Sequence, residues 1–274
     1  MFNEKLIKDI SFIKTFESNE IDIILSEIIR ANILWKEEYN EYQSGGWSTA
    51  ALYNISGDPN DVLIQDGMGI PTTTITRQMP FTQKFIDKLD LKIMYARVAR
   101  LSANSFLWEH VDYAELNQQK KYRLHIPLVT NPSSLLVIAG QTISLETGYM
   151  WLLEPVKPHG VCNLYGPDRV HLIIDCYESD SLGELINQKQ PSRIKMQQLP
   201  PLDHPVLEEA VNCSNKLFEL GFAKEAEHNL LQLFFKYSMP TGMPYDLIVN
   251  LYATHNRQTE ASYWKDKKKT MLNT

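Results

Sequence analysis

Cysteine is scarce in this chain. Its 274 residues carry three, Cys162, Cys176 and Cys213, with no CxxC pair among them. An odd number cannot all pair, which excludes a disulfide-stapled scaffold and suits a reducing cytoplasm. Cys162 and Cys176 fall in apolar, strand-like runs and read as small core residues. Long hydrophobic runs are also missing. No stretch approaches the roughly 18 apolar residues a membrane helix needs, and "MFNEKLIKDI" at the start mixes acids with lysines, unlike a secretory signal. Nor is there a basic stripe. Twenty-seven Lys and Arg face 33 Asp and Glu, a net charge of −6, which argues against nucleic acid as a partner. The most basic segment, Lys265 with Lys267, Lys268 and Lys269, reads as a solvated tail. With 43% hydrophobic residues the chain can bury a substantial core, in one domain or one domain plus an appendage. The expectation is a cytoplasmic protein whose partner is a small molecule.

Residues 5–14 alternate as a strand does. Residues 18–33 repeat Ile21, Ile24, Ile28 and Ile29 at helical spacing, with Ser18 or Asn19 available as a cap. Residues 37–61 are rich in Gly, Ser and aromatics and read as loops and short extended pieces, and 81–89 as a short helix after Pro80. From Leu91 to Tyr177 short apolar or alternating runs are broken every eight to twelve residues by turn signals such as Asn131-Pro132, Gly140, Gly148 and Gly166-Pro167-Asp168. That rhythm predicts an all-β barrel or double-sheet jelly roll. Beyond Tyr177 a polar connection leads into helical patterns over 205–219, 222–237 and 243–256. The expected layout is a mainly β domain over 1–182, its core about 91–177, with N-terminal helices. A C-terminal helical appendage over 183–274 packs on the barrel or forms a homodimer surface.

The chemistry concentrates at His110-Val111-Asp112, His159 and Arg169. In a strand, residues i and i+2 point to one face, so His110 and Asp112 can supply two adjacent corners of an octahedron. His159, after a run that carries the chain back across the barrel, is the best third ligand. Two imidazoles and one carboxylate on one octahedral face leave three positions open, the pattern of non-haem Fe(II) oxygenases, where a cosubstrate and O₂ bind. "YGPD" at 165–168 signals a turn that would set His159 and Arg169 on neighbouring antiparallel strands. On the second of these, Arg169, His171, Ile173 and Asp175 share a face. An arginine in so apolar a strand needs an anion; its fork suits the distal carboxylate of 2-oxoglutarate or, alternatively, an internal acid. Arg123 and His125 share a face of "YRLHIPLV". Arg123 can contact the cosubstrate, while His125 and His171 either orient the acids or are satisfied core histidines. Arg97 or Arg100 can pair with a substrate carboxylate or form structural salt bridges. The loop with Trp47, Tyr53 and Asn54, behind Gly45 and Gly46, either covers the site or packs. Trp108 and Trp151 read as core; His204, His228 and His255 read as surface.

"RLSANSFLWEHVD", "YRLHIPLV", "GYMWLLEPVKPHGVCN" and "RVHLIIDCY" together resemble the core of the aspartyl/asparaginyl β-hydroxylase-like family. "EEYNEYQSGGWSTAALYNISG" is similar to the upstream part of that family's proline 3-hydroxylase type, and the helical C-terminal third has a counterpart there. The resemblance implies a double-stranded β-helix, iron held by His110, Asp112 and His159, and 2-oxoglutarate held by Arg123 and Arg169. It also implies that Asn163 helps fix the distal histidine, and that an unactivated C–H of a free amino acid is hydroxylated with release of succinate and CO₂. In the related halogenases the carboxylate is missing; Asp112 favours hydroxylation. The chain departs from the proline type at "LLVIAGQTISL", Leu135 to Leu145, which leaves the particular amino acid open. The competing readings are the same chemistry on a peptide or carrier-bound intermediate, and a metal-binding cupin that does not use O₂.

Overall fold

In the computed structural model the described residues are 10–113, 119–187 and 196–273. Among these residues eleven strands form two antiparallel sheets. They are β1 (Ile10–Thr15), β2 (Trp47–Tyr53), β3 (Lys92–Leu101), β4 (Ser105–His110), β5 (Lys121–Val129), β6 (Ser134–Ile138), β7 (Gln141–Ile143), β8 (Tyr149–Leu153), β9 (His159–Asn163), β10 (Arg169–Tyr177) and β11 (Met196–Gln198). One sheet runs β1-β8-β5-β10-β3-β2, the other β11-β7-β6-β9-β4. Face to face they make the expected double-stranded β-helix.

Alternation along each strand sorts the side chains into layers. The even-numbered residues of β3, β5 and β10, such as Val98, Ile126 and Leu172, face outward into a core. That core is closed by three helices, α1 (Ser18–Arg30), α2 (Pro80–Asp87) and α3 (Asp180–Asn187). Odd-numbered residues face the space between the sheets, where Leu101, Ile173, Leu107 and Val161 meet. The outer face of the five-stranded sheet presents Phe106, Trp108, Val137 and Cys162 to a second helical layer. That layer comprises α4 (His204–Glu219), α5 (Ala223–Leu231), α6 (Met243–Thr254) and α7 (Gln258–Leu272), with a 3₁₀ turn at Gln232–Phe235.

Several expectations need amendment. The first strand is Ile10–Thr15, and residues 5–9 lie outside the described range. The first helix is capped by Glu17, not Ser18 or Asn19: the Glu17 N–H donates to Glu20 Oε2 at 3.1 Å, closing a capping box. Residues read as loops and short extended pieces around Trp47 form the edge strand β2, and Tyr53 donates to Asp87 at 2.7 Å, so the segment packs, the second of the two alternatives. The boundary at residue 182 cuts through the architecture, because β11 pairs with β7 and the helical layer shares a core with the sheet. The basic C-terminal segment is helix α7, which buries Trp264, Met271 and Leu272 and lays Lys267 over the Trp264 ring. Trp108 and Trp151 are core. His204 is exposed, while His228 packs on Trp108 and His255 on Phe218. No helix among the described residues is long and apolar enough to cross a membrane.

Candidate metal centre and active site

Between the sheets lies a cavity of about 330 Å³. His110 ends β4 and His159 opens β9, and the pairing of these strands sets the two imidazoles opposite each other with ring centres 4.5 Å apart. His110 Nδ1 lies 2.7 Å from the Trp108 carbonyl, and His159 Nδ1 lies 2.7 Å from the Lys157 carbonyl. A carbonyl only accepts, so both Nδ1 atoms carry the proton and both Nε2 atoms present lone pairs. Asp112 completes the group: Oδ1 is 3.8 Å from His110 Nε2 and Oδ2 is 3.4 Å from His159 Nε2. One donor atom from each residue fits within 4.8 Å of the others. Ligand bonds of about 2.1 Å set at right angles put donors roughly 3 Å apart, so this spacing closes on a metal with little movement.

The electrostatics agree. Burial, then the neighbouring His159, pushes His110 down to about 4, so its imidazole is neutral and able to ligate. Burial alone would raise the Asp112 carboxyl. The Arg123 guanidinium and the two imidazoles override it and hold Asp112 well below the usual range.

The polar side chains that project inward from the six-stranded sheet include Arg97, Arg123, His125, Arg169, His171 and Asp175, all buried. Arg123 does not present a free fork to a cosubstrate as expected. Its Nη1 donates to Asp112 Oδ2 and its Nε to Asp175 Oδ1 at 2.7 Å, and the Tyr113 hydroxyl donates to the same Asp175 oxygen. Arg169 lies on β10, in the other sheet from His159, and not on a neighbouring strand. The turn at 165–168 passes the chain from one sheet to the other, and Arg169 lines the same cavity as His110 and Asp112. Among the described residues no carboxylate pairs with Arg169. Burial alone pushes it down to about 9. Its Nε and Nη2 lie 3.0 and 2.8 Å from the two ring nitrogens of His171; a neutral imidazole accepts at one of them only. His171 thus backs Arg169, while His125 lines the cavity with Nε2 unpartnered.

Arg97 and Arg100 are separated by position. Three residues apart on a strand, they face opposite ways. Arg97 lines the cavity, 3.8 Å from Asp175, with Nε and Nη1 lacking any hydrogen-bond partner. Arg100 lies outside it, over Trp35, donating to Ser48 and 3.8 Å from Asp168, so it is a surface salt-bridge residue and not a substrate contact. Asn163 is also away from the cavity. Its side chain donates to the carbonyls of Leu101 and Pro167 and accepts from Asn131, stapling the turn after β9 and making no bond to His159. Trp47 does line the cavity. The segment Leu135 to Leu145 does not; its apolar residues belong to the cores.

The family model described as aspartyl/asparaginyl beta-hydroxylase matches residues 18–179. The chain belongs to that family. The match takes in all three ligand candidates and Arg169, and ends before helix α4. Among curated proteins, L-proline cis-4-hydroxylase of Rhizobium meliloti (strain 1021) is 26% identical over 215 residues, 76% of this chain and 76% of that protein. L-proline cis-3-hydroxylase 2 of a Streptomyces species is 25% identical over 147 residues, 51% of this chain and 50% of that one. Among solved structures, an oxidoreductase of the 2OG-Fe(II) oxygenase family from Burkholderia pseudomallei shares 12% identity. It covers 63% of this chain and 87% of its own, at a TM-score of 0.44.

Within this family member, two parts of the cavity were not marked by sequence reasoning. Tyr39 and Tyr42 form an aromatic wall, Tyr42 edge-on to His110 at 5.5 Å. The second part is a strap over 58–65. The Asn54 amide donates to the carbonyls of Asp58 and Asp61 at 2.6 and 2.7 Å. Tyr95 donates to the Val62 carbonyl at 3.0 Å, and the Ile64 N–H donates to the Tyr39 hydroxyl at 3.1 Å. Leu63, Ile64 and Gln65 are thereby held at the cavity. The only available signal was a cluster of turn residues, which does not reveal what a loop faces.

Proposed function

We propose that this chain is an Fe(II)- and 2-oxoglutarate-dependent dioxygenase that hydroxylates a C–H bond of a small free amino acid with an apolar or cyclic side chain. The observation that carries this reading is the convergence of His110, Asp112 and His159 at the cavity that Arg169 lines, a buried guanidinium that no acid among the described residues pairs with. The donor set is that of a facial triad with three positions open, and Arg169 offers the fork that a dicarboxylate needs. Bound there, iron and 2-oxoglutarate supply the oxidising power that activates O₂ and functionalises an unactivated C–H, the cosubstrate leaving as succinate and CO₂. The protein supplies placement. The two imidazoles and Asp112 would hold the metal. Arg169, backed by His171, fixes the far carboxylate. Arg123 keeps Asp112 ionised and oriented.

Charge narrows the substrate. Among the described residues, Arg97, Arg123 and Arg169 face two carboxylates, Asp112 and Asp175. A divalent metal and a divalent cosubstrate cancel each other, leaving one cation in excess. Arg97, with its unpartnered donors, is that cation, and a substrate carboxylate is its match. The remaining walls, Tyr39, Tyr42, Leu63, Ile64, Leu107 and Val111, favour an apolar body. The cavity lies near the lower end of the roughly 300–1,000 Å³ of ligand sites, which favours a free amino acid over a peptide or carrier-bound substrate. The two proline hydroxylases among the relatives support the same class. The test is anaerobic addition of Fe(II) and 2-oxoglutarate, which should give a weak visible charge-transfer band, followed by a screen of amino acids for succinate release. Absence of the band, or full turnover by Asp112→Ala, defeats the proposal.

A further inference from the structure

The geometry points to the C-terminal helical layer as the part of the chain that aims the metal ligands, with Tyr245 and Gly242 as positioning residues for His110. This rests on the reading of His110, Asp112 and His159 as a metal centre.

Strands β4 and β9 pair regularly from Ser105 opposite Asn163 to Leu107 opposite Val161. Then the register slips, and His110 stands opposite His159. Three steps on one strand thus match two on the other. Without the extra residue Glu109 would stand opposite His159, and strand alternation would turn His110 away from the cavity. The bulge restores it: Leu107 faces inward, Trp108 and Glu109 both face the helical layer, and His110 faces inward again. Bulges beside active sites re-aim side chains in this way, at the cost of disrupted ladder bonds.

Buried backbone groups left by such a disruption need other partners, and the helical layer provides them. The Tyr245 hydroxyl donates to the Glu109 carbonyl at 2.6 Å, and the Gly242 N–H donates to the Glu109 carboxylate at 2.9 Å. On the far side of His110, the Val111 N–H donates to the Met271 carbonyl at 2.8 Å. His110 is therefore held on both flanks by residues more than 130 positions away in sequence. Gly160, next to His159, completes the fit. A Cβ there would lie 2.8 Å from the Phe234 ring and 3.0 Å from the Leu107 carbonyl, so glycine lets the layer close against β9. These contacts are shielded from water, with Tyr245 and Glu109 both buried.

Tyr245→Phe removes one hydroxyl and keeps the ring. Tyr252→Phe does the same elsewhere in the layer, where the hydroxyl donates to Glu227, and serves as the control. Co(II), as a stand-in for Fe(II), is titrated into the parent full-length protein and both variants. Affinity and ligand-field absorption bands are recorded beside the unfolding temperature. Tyr245→Phe is expected to bind Co(II) about tenfold more weakly, with shifted bands, the size of effect seen when a ligand's outer support is lost. Tyr252→Phe is expected to keep the parent affinity and bands. Parent behaviour in Tyr245→Phe, or equal loss in both variants, overturns the inference. A parent protein that binds no Co(II) overturns the metal centre beneath it. Should Tyr245→Phe fail to fold, Glu109→Gln, which keeps an acceptor for Gly242, is compared with Glu109→Met. Parent bands in the first and shifted bands in the second are expected, and identical bands in the two refute the assignment.

Discussion

Replacing Arg169 by methionine should do two opposite things at once. Without ligands, the guanidinium is a buried cation among apolar strands and two neutral imidazoles, and no acid among the described residues compensates it. Burial lowers its proton affinity from the ordinary value to about 9. Each tenfold change is worth about 1.4 kcal/mol, so the penalty on the charged form reaches roughly 5 kcal/mol, and water in the cavity screens most of it. At pH 7 the group is charged folded and unfolded alike, so the penalty is fully present and fades only as the pH rises above about 9. Arg169→Met should therefore raise the ligand-free unfolding temperature by a few degrees, the equivalent of about 1–2 kcal/mol, equally at pH 6 and pH 8. With Mn(II) and 2-oxoglutarate under anaerobic conditions the order should reverse. A ligand at a hundred times its Kd adds about 2.7 kcal/mol to the parent. Losing one partner of a buried charged pair costs about 2–5 kcal/mol, so the variant should gain almost nothing from the same cosubstrate. Differential scanning fluorimetry reads both effects. A variant less stable than the parent when empty, yet still stabilised by 2-oxoglutarate, would refute the assignment.

Arg97→Gln should raise KM for the amino acid at least thirtyfold, the low end of about 2–5 kcal/mol for a buried charge pair. KM for 2-oxoglutarate should stay within twofold in steady-state succinate assays; the reverse pattern would exchange the roles of Arg97 and Arg169. Thiol titration at pH 8 should find one fast cysteine, the exposed Cys213. Cys162, pushed up to about 12 by burial, and the equally enclosed Cys176 should react only after denaturation. Gly160→Ala should destabilise by about 1–3 kcal/mol in urea unfolding, because the added methyl meets backbone and a packed ring; a neutral result would mean that the helical layer sits more loosely on β9.

The metal centre was legible because a two-residue spacing on a strand has one geometric meaning, and few other chemistries use that ligand order followed by a buried arginine. The strand rhythm from Leu91 to Tyr177 likewise fixed the fold class. What failed were features that depend on who pairs with whom. The turn at 165–168 looks the same whether it joins neighbours in a sheet or carries the chain between sheets, so β9 and β10 were placed side by side. Arg97 and Arg100 were treated as equivalent, although strand parity alone separates them. Helix α7 was hidden by its lysines: mean composition reads as a tail, while Ala261, Trp264, Met271 and Leu272 supply the buried stripe. The bulge at Trp108 and Glu109 has no local signature, since it exists only relative to β9.

The two imidazole rings are oriented by carbonyls that each lie two residues earlier on the same strand or its approach, not by acidic side chains that drift in sequence could remove. Preset in this way, the pair waits with both lone pairs convergent and demands little ordering when an ion arrives. That readiness is indiscriminate. Cobalt, nickel and copper are expected to compete for these ligands with rising affinity, and zinc with less than copper. A ligand set of this type leaves much of the choice of ion to metal availability.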